Sequence, residues 1–149
     1  ENDRSVVDAV LALNPDLDEV NARVQAVSHF SNLPEAQSLA AANKRIGNLL
    51  KKVEGNLAQV DKQLLTEPAE LALAEQIAQV EPLAQAHFAK AEFTQALQTV
   101  AQTRDAVDNF FNDVMVMADD LAVRNNRLAL LNQLHSTMNL VADLAKLAQ

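Results

Sequence analysis

The 149-residue sequence predicts an all-α fold, a bundle of about six or seven helices. Three observations carry that expectation. Gly occurs only twice and Pro four times, so helix breakers are rare. Helix formers such as Ala, Leu and Gln abound, whereas aromatic residues make up 3% and Trp and Tyr are absent. The apolar residues recur three and four positions apart, the spacing of one helix face. No repeat or low-complexity linker interrupts the pattern, so residues 1–149 read as a single domain large enough to bury a core.

A first helix is expected over about residues 4–13, stopped by Asn14-Pro15. Asp16 is placed to cap a second, with Leu17, Val20, Val24, Val27 and Phe30 on one face. Ser31-Asn32-Leu33-Pro34 breaks that helix, and Pro34 suits the first turn of a third over residues 35–53, ending near Glu54-Gly55-Asn56. Residues 57–65 show no clear period. Thr66-Glu67-Pro68 opens a fourth helix from about residue 69, with Leu71, Ala74, Ile77, Ala78 and Ala84 in helical spacing. Pro82 should kink or end it. Phe93, Leu97 and Val100 mark a fifth. Asp105 is placed to cap a sixth, striped by Val107, Phe110, Phe111, Val114 and Ala118, in which Met115 and Met117 would pack. Asp119 or Asp120 begins the last helix, whose apolar stripe is Leu128, Leu131, Leu134, Met138 and Ala142.

A formal net charge of −8, taken whole, argues against a nucleic-acid binder. One segment differs. Residues 44–62 hold Lys44, Arg45, Lys51, Lys52 and Lys62 against Glu54 and Asp61, between two acidic flanks, so an anionic partner meets this segment first. On the third helix, Leu39, Ala42, Ile46, Leu49, Leu50 and Val53 share one side. Lys44, Asn48 and Lys51 fall almost opposite, with Arg45 and Lys52 on a flank. The result is a basic ridge, either a solvated face or a track for a phosphate backbone. On the last helix, Arg124 and Arg127 lie seven and four residues before Leu131, on the apolar stripe itself. Arginines aimed at a core need partners. The spacing predicts that Arg124 or Arg127 pairs with Asp108, or with Asp119 or Asp120, the alternative being direct RNA contact.

Several chemistries are excluded or unsupported. The chain has no Cys, hence no disulfide and no thiolate metal site. No apolar run reaches the roughly 20 residues that span a bilayer, and the start has neither signal-peptide character nor an initiator Met. The expectation is a cytoplasmic piece of a longer chain. His29, His87 and His135 lack metal-ligand spacing, and His29 and His87, which precede Phe30 and Phe88, are expected to pack near helix ends. Glycines only at 47 and 55 cannot build a phosphate loop, and no Ser or Thr has a His/Asp arrangement around it. Asp119 and Asp120, adjacent on a helix, point about 100° apart and read as caps. No catalytic residue and no metal are expected.

Two stretches resemble a known family. One is Leu39-Ala40-Ala41-Ala42-Asn43-Lys44-Arg45-Ile46-Gly47-Asn48-Leu49-Leu50-Lys51-Lys52. The other runs Val107-Asp108-Asn109-Phe110-Phe111-Asn112-Asp113-Val114-Met115-Val116-Met117-Ala118-Asp119-Asp120, then Arg124-Asn125-Asn126-Arg127-Leu128. Both are similar to the C-terminal part of the beta subunit of bacterial two-subunit glycyl-tRNA synthetases. That region resembles a DALR-type anticodon-binding domain, a helical bundle shared with arginyl-tRNA synthetases and named for Asp-Ala-Leu-Arg, usually followed by x-x-Arg. Here Leu121, Ala122, Val123 and Arg124 precede Asn125, Asn126 and Arg127: Ala122 and both arginines match, while Leu121 replaces the acid and Val123 the Leu.

The resemblance implies that the whole enzyme joins glycine to its tRNA using ATP and magnesium, with the aminoacylation site on the alpha subunit. This domain would hold no cofactor. It would grip glycine tRNA through Lys44, Arg45, Asn48, Lys51 and Lys52, with Arg124 and Arg127 in RNA contact or structural. Its partners would be glycine tRNA, the alpha subunit and the remainder of the beta chain, with no DNA and no membrane. The alternative is a helical protein-interaction domain that docks the alpha subunit or other beta-chain domains without touching RNA, as the acidic charge and few aromatics favour.

Overall fold

The computed structural model describes residues 4–53 and 55–149; Glu54, expected at the end of the third helix, and residues 1–3 lie outside the described residues. Among the described residues are seven α-helices, two short 3-10 turns and no strand.

Helix α1 spans Arg4–Leu11 and ends two residues early, where Asn14 adopts φ 50°, a left-handed conformation that Asn tolerates better than most residues. Helix α2 spans Leu17–Ser31 with Asp16 at its N-cap position, although the Asp16 side chain makes no capping bond. Helix α3 spans Ala36–Leu50. Pro34 lies in the turn before it, outside its first turn, and Lys51 is its C-cap. The expected end at Val53 is corrected to Leu50. The Val53 amide still bonds the Leu50 carbonyl at 3.1 Å, which keeps the helical pattern legible past the true end. Gly55, at φ 77°, then starts an extended segment broken only by the 3-10 turn Lys62–Leu64.

Helix α4 spans Pro68–Ala89 and passes through Pro82, where a kink or an end was expected. The N–H that Pro82 lacks would have bonded the Ala78 carbonyl. Both residues face solvent, so that acceptor is not stranded in the core. Helix α5 spans Phe93–Ala101 and α6 spans Arg104–Asp113. Thr103 holds the N-cap of α6, and Asp105 sits in its first turn. Because α6 stops at Asp113, Val114 is extended (φ −116°, ψ 129°) and the side chains alternate: Val114 and Val116 are buried, Met115 and Met117 are 72% and 42% exposed. The expected packing of both methionines within a helix is thereby corrected. Helix α7 spans Leu121–Met138, opened by Asp120, whose Oδ1 accepts from the Ala122 and Val123 amides at 2.9 and 3.2 Å.

Helix α4 packs on α5, α6 and α7; α3 lies against α7 and α6; α2 joins α1 to α5. The C-terminal 3-10 turn Leu144–Leu147 seats on α3 and α1. Phe30, Leu39, Ile46, Leu73, Ile77, Phe110, Leu131, Leu134 and Met138 are fully buried, each contributing about 1.5–3 kcal/mol by removal from water. Arg23 of α2 locks the C-terminal segment to this core. It is buried, donates to the Val141 carbonyl at 2.9 Å, pairs with Glu19 at 2.8 Å and lies 5.2 and 5.0 Å from the Phe88 and Phe93 ring centroids.

Candidate nucleic-acid interface

Helix α3 presents the two faces its sequence predicts. Leu39, Ala42 and Ile46 are buried, Leu49, Leu50 and Val53 are half-buried, and Lys44, Arg45, Asn48, Lys51 and Lys52 are exposed. Lys51 and Lys52 follow the helix C-terminus, where the macrodipole favours cations. The Arg45 guanidinium lies 4.4 Å from the Phe111 ring centroid, which fixes its direction while leaving its charge free.

Ion pairing elsewhere makes this face unusual. Of the twelve Lys and Arg residues, Arg4 pairs with Asp8, Arg23 with Glu19, Arg104 with Asp105 and Asp108, and Arg127 with Glu70. Among the described residues no carboxylate pairs with Lys44, Arg45, Lys51, Lys52, Arg124 or Lys146, nor with Lys62 or Lys90. The first six surround α3. Lys146 lines a cleft of about 970 Å³ on one flank together with Lys44, Lys51, Asn43 and His135. Arg124 lines a cleft of about 640 Å³ on the other flank together with Lys52. Lys146 joins the ridge through the packing of the C-terminal 3-10 turn on α3, and nothing in its local sequence signals this.

The predicted arginine pairing is corrected. Asp108 accepts from Arg104 Nε at 2.9 Å, four residues earlier on its own helix, and from Ser38 at 3.3 Å. Asp119 and Asp120 pair with neither arginine. Arg127 is buried and bidentate on Glu70 of α4, with Nε to Oε2 at 3.0 Å and Nη2 to Oε1 at 3.2 Å, and its Nη1 donates to the Met115 carbonyl. Arg124 is half-buried and has no acidic partner among the described residues. The cause is the register of α4. Its core stripe is Glu70, Leu73, Ile77, Val80 and Ala84, all buried, whereas Leu71 is 48% exposed and Ala78 faces solvent. An acid at the head of that stripe was the available signal.

Other polar groups tie the clefts down. Asn126 grips the extended segment through both backbone groups of one residue: its Oδ1 accepts from the Asp61 amide at 2.7 Å and its Nδ2 donates to the Asp61 carbonyl at 3.1 Å. Asn43, buried on α3, donates to Asn139 at 2.9 Å. Burial pushes the His135 imidazole below its ordinary pKa, with the Asp143 carboxylate opposing that shift. His87 bonds Glu92 at 2.9 Å, and His29, expected to pack, is exposed. No helix among the described residues is long and apolar enough to cross a membrane. The arrangement offers positive charge, amides and concave apolar surface, the means of holding an anionic polymer.

The sequence profile of the DALR anticodon binding domain matches residues 39–147. The chain is 57% identical over 144 residues to the glycine–tRNA ligase beta subunit of Janthinobacterium sp. (strain Marseille), covering 95% of this chain and 21% of that protein. The beta subunit of Leptothrix cholodnii is 57% identical over 144 residues, covering 95% and 20%. That of Ralstonia nicotianae is 54% identical over 143 residues, covering 95% and 20%. The chain spans about a fifth of the length of the curated relatives it matches.

Proposed function

This chain belongs to the DALR anticodon-binding domain family, and from that premise we propose that it is the tRNA-gripping domain of a glycine–tRNA ligase beta subunit. The observation that carries the proposal is the set of six cations around α3 without acidic partners among the described residues: Lys44, Arg45, Lys51, Lys52, Arg124 and Lys146. In an acidic protein whose other arginines are ion-paired, their free charge is directed at an external anion. Asn48, between them, adds a hydrogen-bonding amide to the same face.

The domain acts as a single folded unit in the cytoplasm and performs no chemistry. Glycine tRNA held here presents its acceptor end to the aminoacylation site of the alpha subunit, which uses ATP and magnesium. Contacts far from the reacting atoms raise the rate by positioning. The acidic remainder of the surface favours a second reading, in which the domain docks the alpha subunit or another part of the beta chain.

Salt separates the two readings. Titration against glycine tRNA and an unrelated tRNA should give a slope of log K on log salt of about −4 to −5, from six phosphates at about 0.7–0.9 each. The Lys44→Glu/Lys51→Glu variant should abolish binding at moderate salt, and tighter binding of glycine tRNA would add discrimination to the grip. Absence of binding at low salt by a folded chain would discard the RNA reading in favour of docking.

A further inference from the structure

The cleft of about 970 Å³ lies where the second half of α3, the end of α7 and the C-terminal 3-10 turn meet. Its cations come from separate walls. Lys44 of α3 and Lys51, the C-cap residue, are seven positions apart, which puts them on one face, about 10 Å from each other along the axis. Lys146 comes from the 3-10 turn. None of the three has a carboxylate partner among the described residues. Between the two α3 lysines, at helical spacing from both, is Gly47, so the floor there carries no side chain. A Cβ at Gly47 would meet His135 Nε2 at 3.7 Å, and the His135 ring makes no hydrogen bond among the described residues. A half-buried imidazole without a partner thus borders the cleft. Amides tie the three walls together: Asn43 and Asn139 exchange hydrogen bonds at 2.9 and 3.4 Å, and Asn139 Oδ1 also accepts from the Leu144 amide at 3.0 Å.

We propose that this cleft is a site for a small oligophosphate anion, free pyrophosphate or the phosphoryl chain of a nucleoside polyphosphate, held by Lys44, Lys51, Lys146 and His135. A polynucleotide backbone follows cations in a row along a face, as the α3 ridge supplies. Cations from separate walls of a concave site converge instead on a compact charge, and lysine ammonium groups on flexible stems close round it. The charge balance suits a multivalent anion. Asp143 lines the cleft, but its carboxylate is engaged as the cap of the 3-10 turn, accepting from the Ala145 amide at 3.1 Å. The C-termini of α3 and α7 each add the equivalent of about half a negative charge. Three ammonium groups outweigh these, and a ligand with several charged oxygens engages all three at once. His135 supplies a further donor. Burial keeps it neutral at pH 7 despite Asp143, so it offers one N–H, and an arriving anion favours its protonation. Leu13 and Leu50 form an apolar margin on which a nucleoside can rest. The volume falls within the range of about 300–1,000 Å³ typical of small-ligand sites. Lys44 and Lys51 also belong to the basic ridge, so occupancy would loosen the hold on RNA. That consequence rests on the RNA-gripping reading above, whereas the site itself does not.

The test is isothermal titration of this chain with sodium pyrophosphate, sodium tripolyphosphate and ATP, with sulfate at matched ionic strength as the reference. Tripolyphosphate should bind about tenfold or more tighter than sulfate. Lys146→Gln should weaken it about tenfold, whereas Lys90→Gln, which removes an equally unpaired charge elsewhere, should change it by less than about twofold. Gly47→Leu fills the floor with a good helix former and should abolish binding while circular dichroism stays as in the parent chain. Followed by NMR, the His135 pKa should rise by about one unit at saturating tripolyphosphate, a tenfold gain in proton affinity, while His29 and His87 do not move. ATP binding tighter than tripolyphosphate would support the site and assign its margin to the nucleoside; equal affinities would support it with the phosphoryl chain as the whole ligand. Equal losses in Lys146→Gln and Lys90→Gln, or an unmoved His135, would mean general charge screening and overturn the site. Absence of oligophosphate binding in a chain that binds tRNA with the expected salt slope would overturn it and leave the RNA grip standing.

Discussion

Replacing Glu70 by Ala removes the partner of a buried guanidinium. The two side chains are 0% and 9% exposed for Glu70 and Arg127, so solvent screens the pair little. Glu70 also accepts from the Glu67 amide at 3.1 Å, which ties the first turn of α4 to the same carboxylate. Deleting one member of such a pair costs about 3–5 kcal/mol, because the charge left behind stays desolvated. The Met115 carbonyl remains bonded to Arg127 Nη1 and places the expectation at the lower end, about 3 kcal/mol. For a chain of this size each kcal/mol shifts Tm by about 2–4 °C, so Glu70→Ala should melt roughly 6–12 °C lower. Glu70→Leu/Arg127→Met removes both charges and fills the space with apolar atoms. It should recover to within about 1 kcal/mol of the parent chain. Urea unfolding followed by circular dichroism reads both, with an unchanged m-value as the check on two-state behaviour. A loss under about 1 kcal/mol in Glu70→Ala, or a double variant no more stable than the single one, would refute the reasoning.

Asp108→Ala should cost less than about 1 kcal/mol in the same assay, because the Arg104–Asp108 pair is an i,i+4 contact with side chains 40% and 36% exposed. Gly47→Ala should stabilise by about 0.5–1 kcal/mol, since the new Cβ meets only His135 Nε2 at an ordinary 3.7 Å within a helix. Gly55→Ala should instead destabilise by about 1 kcal/mol, because φ 77° is left-handed even though the space is open. Stability should also fall in mild acid. The folded chain binds the His135 proton less tightly than the unfolded chain, so this contribution is complete above about pH 6.5 and is lost as pH drops towards the folded value. His135→Gln should flatten that slope in urea titrations run between about pH 7.5 and 5.

Local order in this protein is written locally. The two faces of α3, the stripe Leu128–Leu131–Leu134–Met138 and the Asp120 cap depend on residues three or four positions apart, and the chain alone determines them. The all-α class follows for the same reason. Where a local rule misled, tertiary placement decided. Pro82 is tolerated because the acceptor it frees faces solvent, and the valines at 114 and 116 leave helical for extended spacing because α6 stops at Asp113.

What the chain did not determine locally is which charges meet. Arg127 had acids nearby in sequence, yet its partner stands 57 residues away, because α4 lies across the buried face of α7 and carries Glu70 on its core stripe. Arg104 takes Asp108 first, four residues along its own helix. Lys146 and Arg124 join Lys44 and Lys52 only once the C-terminal turn and α7 have packed on α3. Helix geometry acts over a turn or two and is legible in one dimension. A charged or concave surface sums groups from distant elements, so it exists only after packing has chosen which faces are buried.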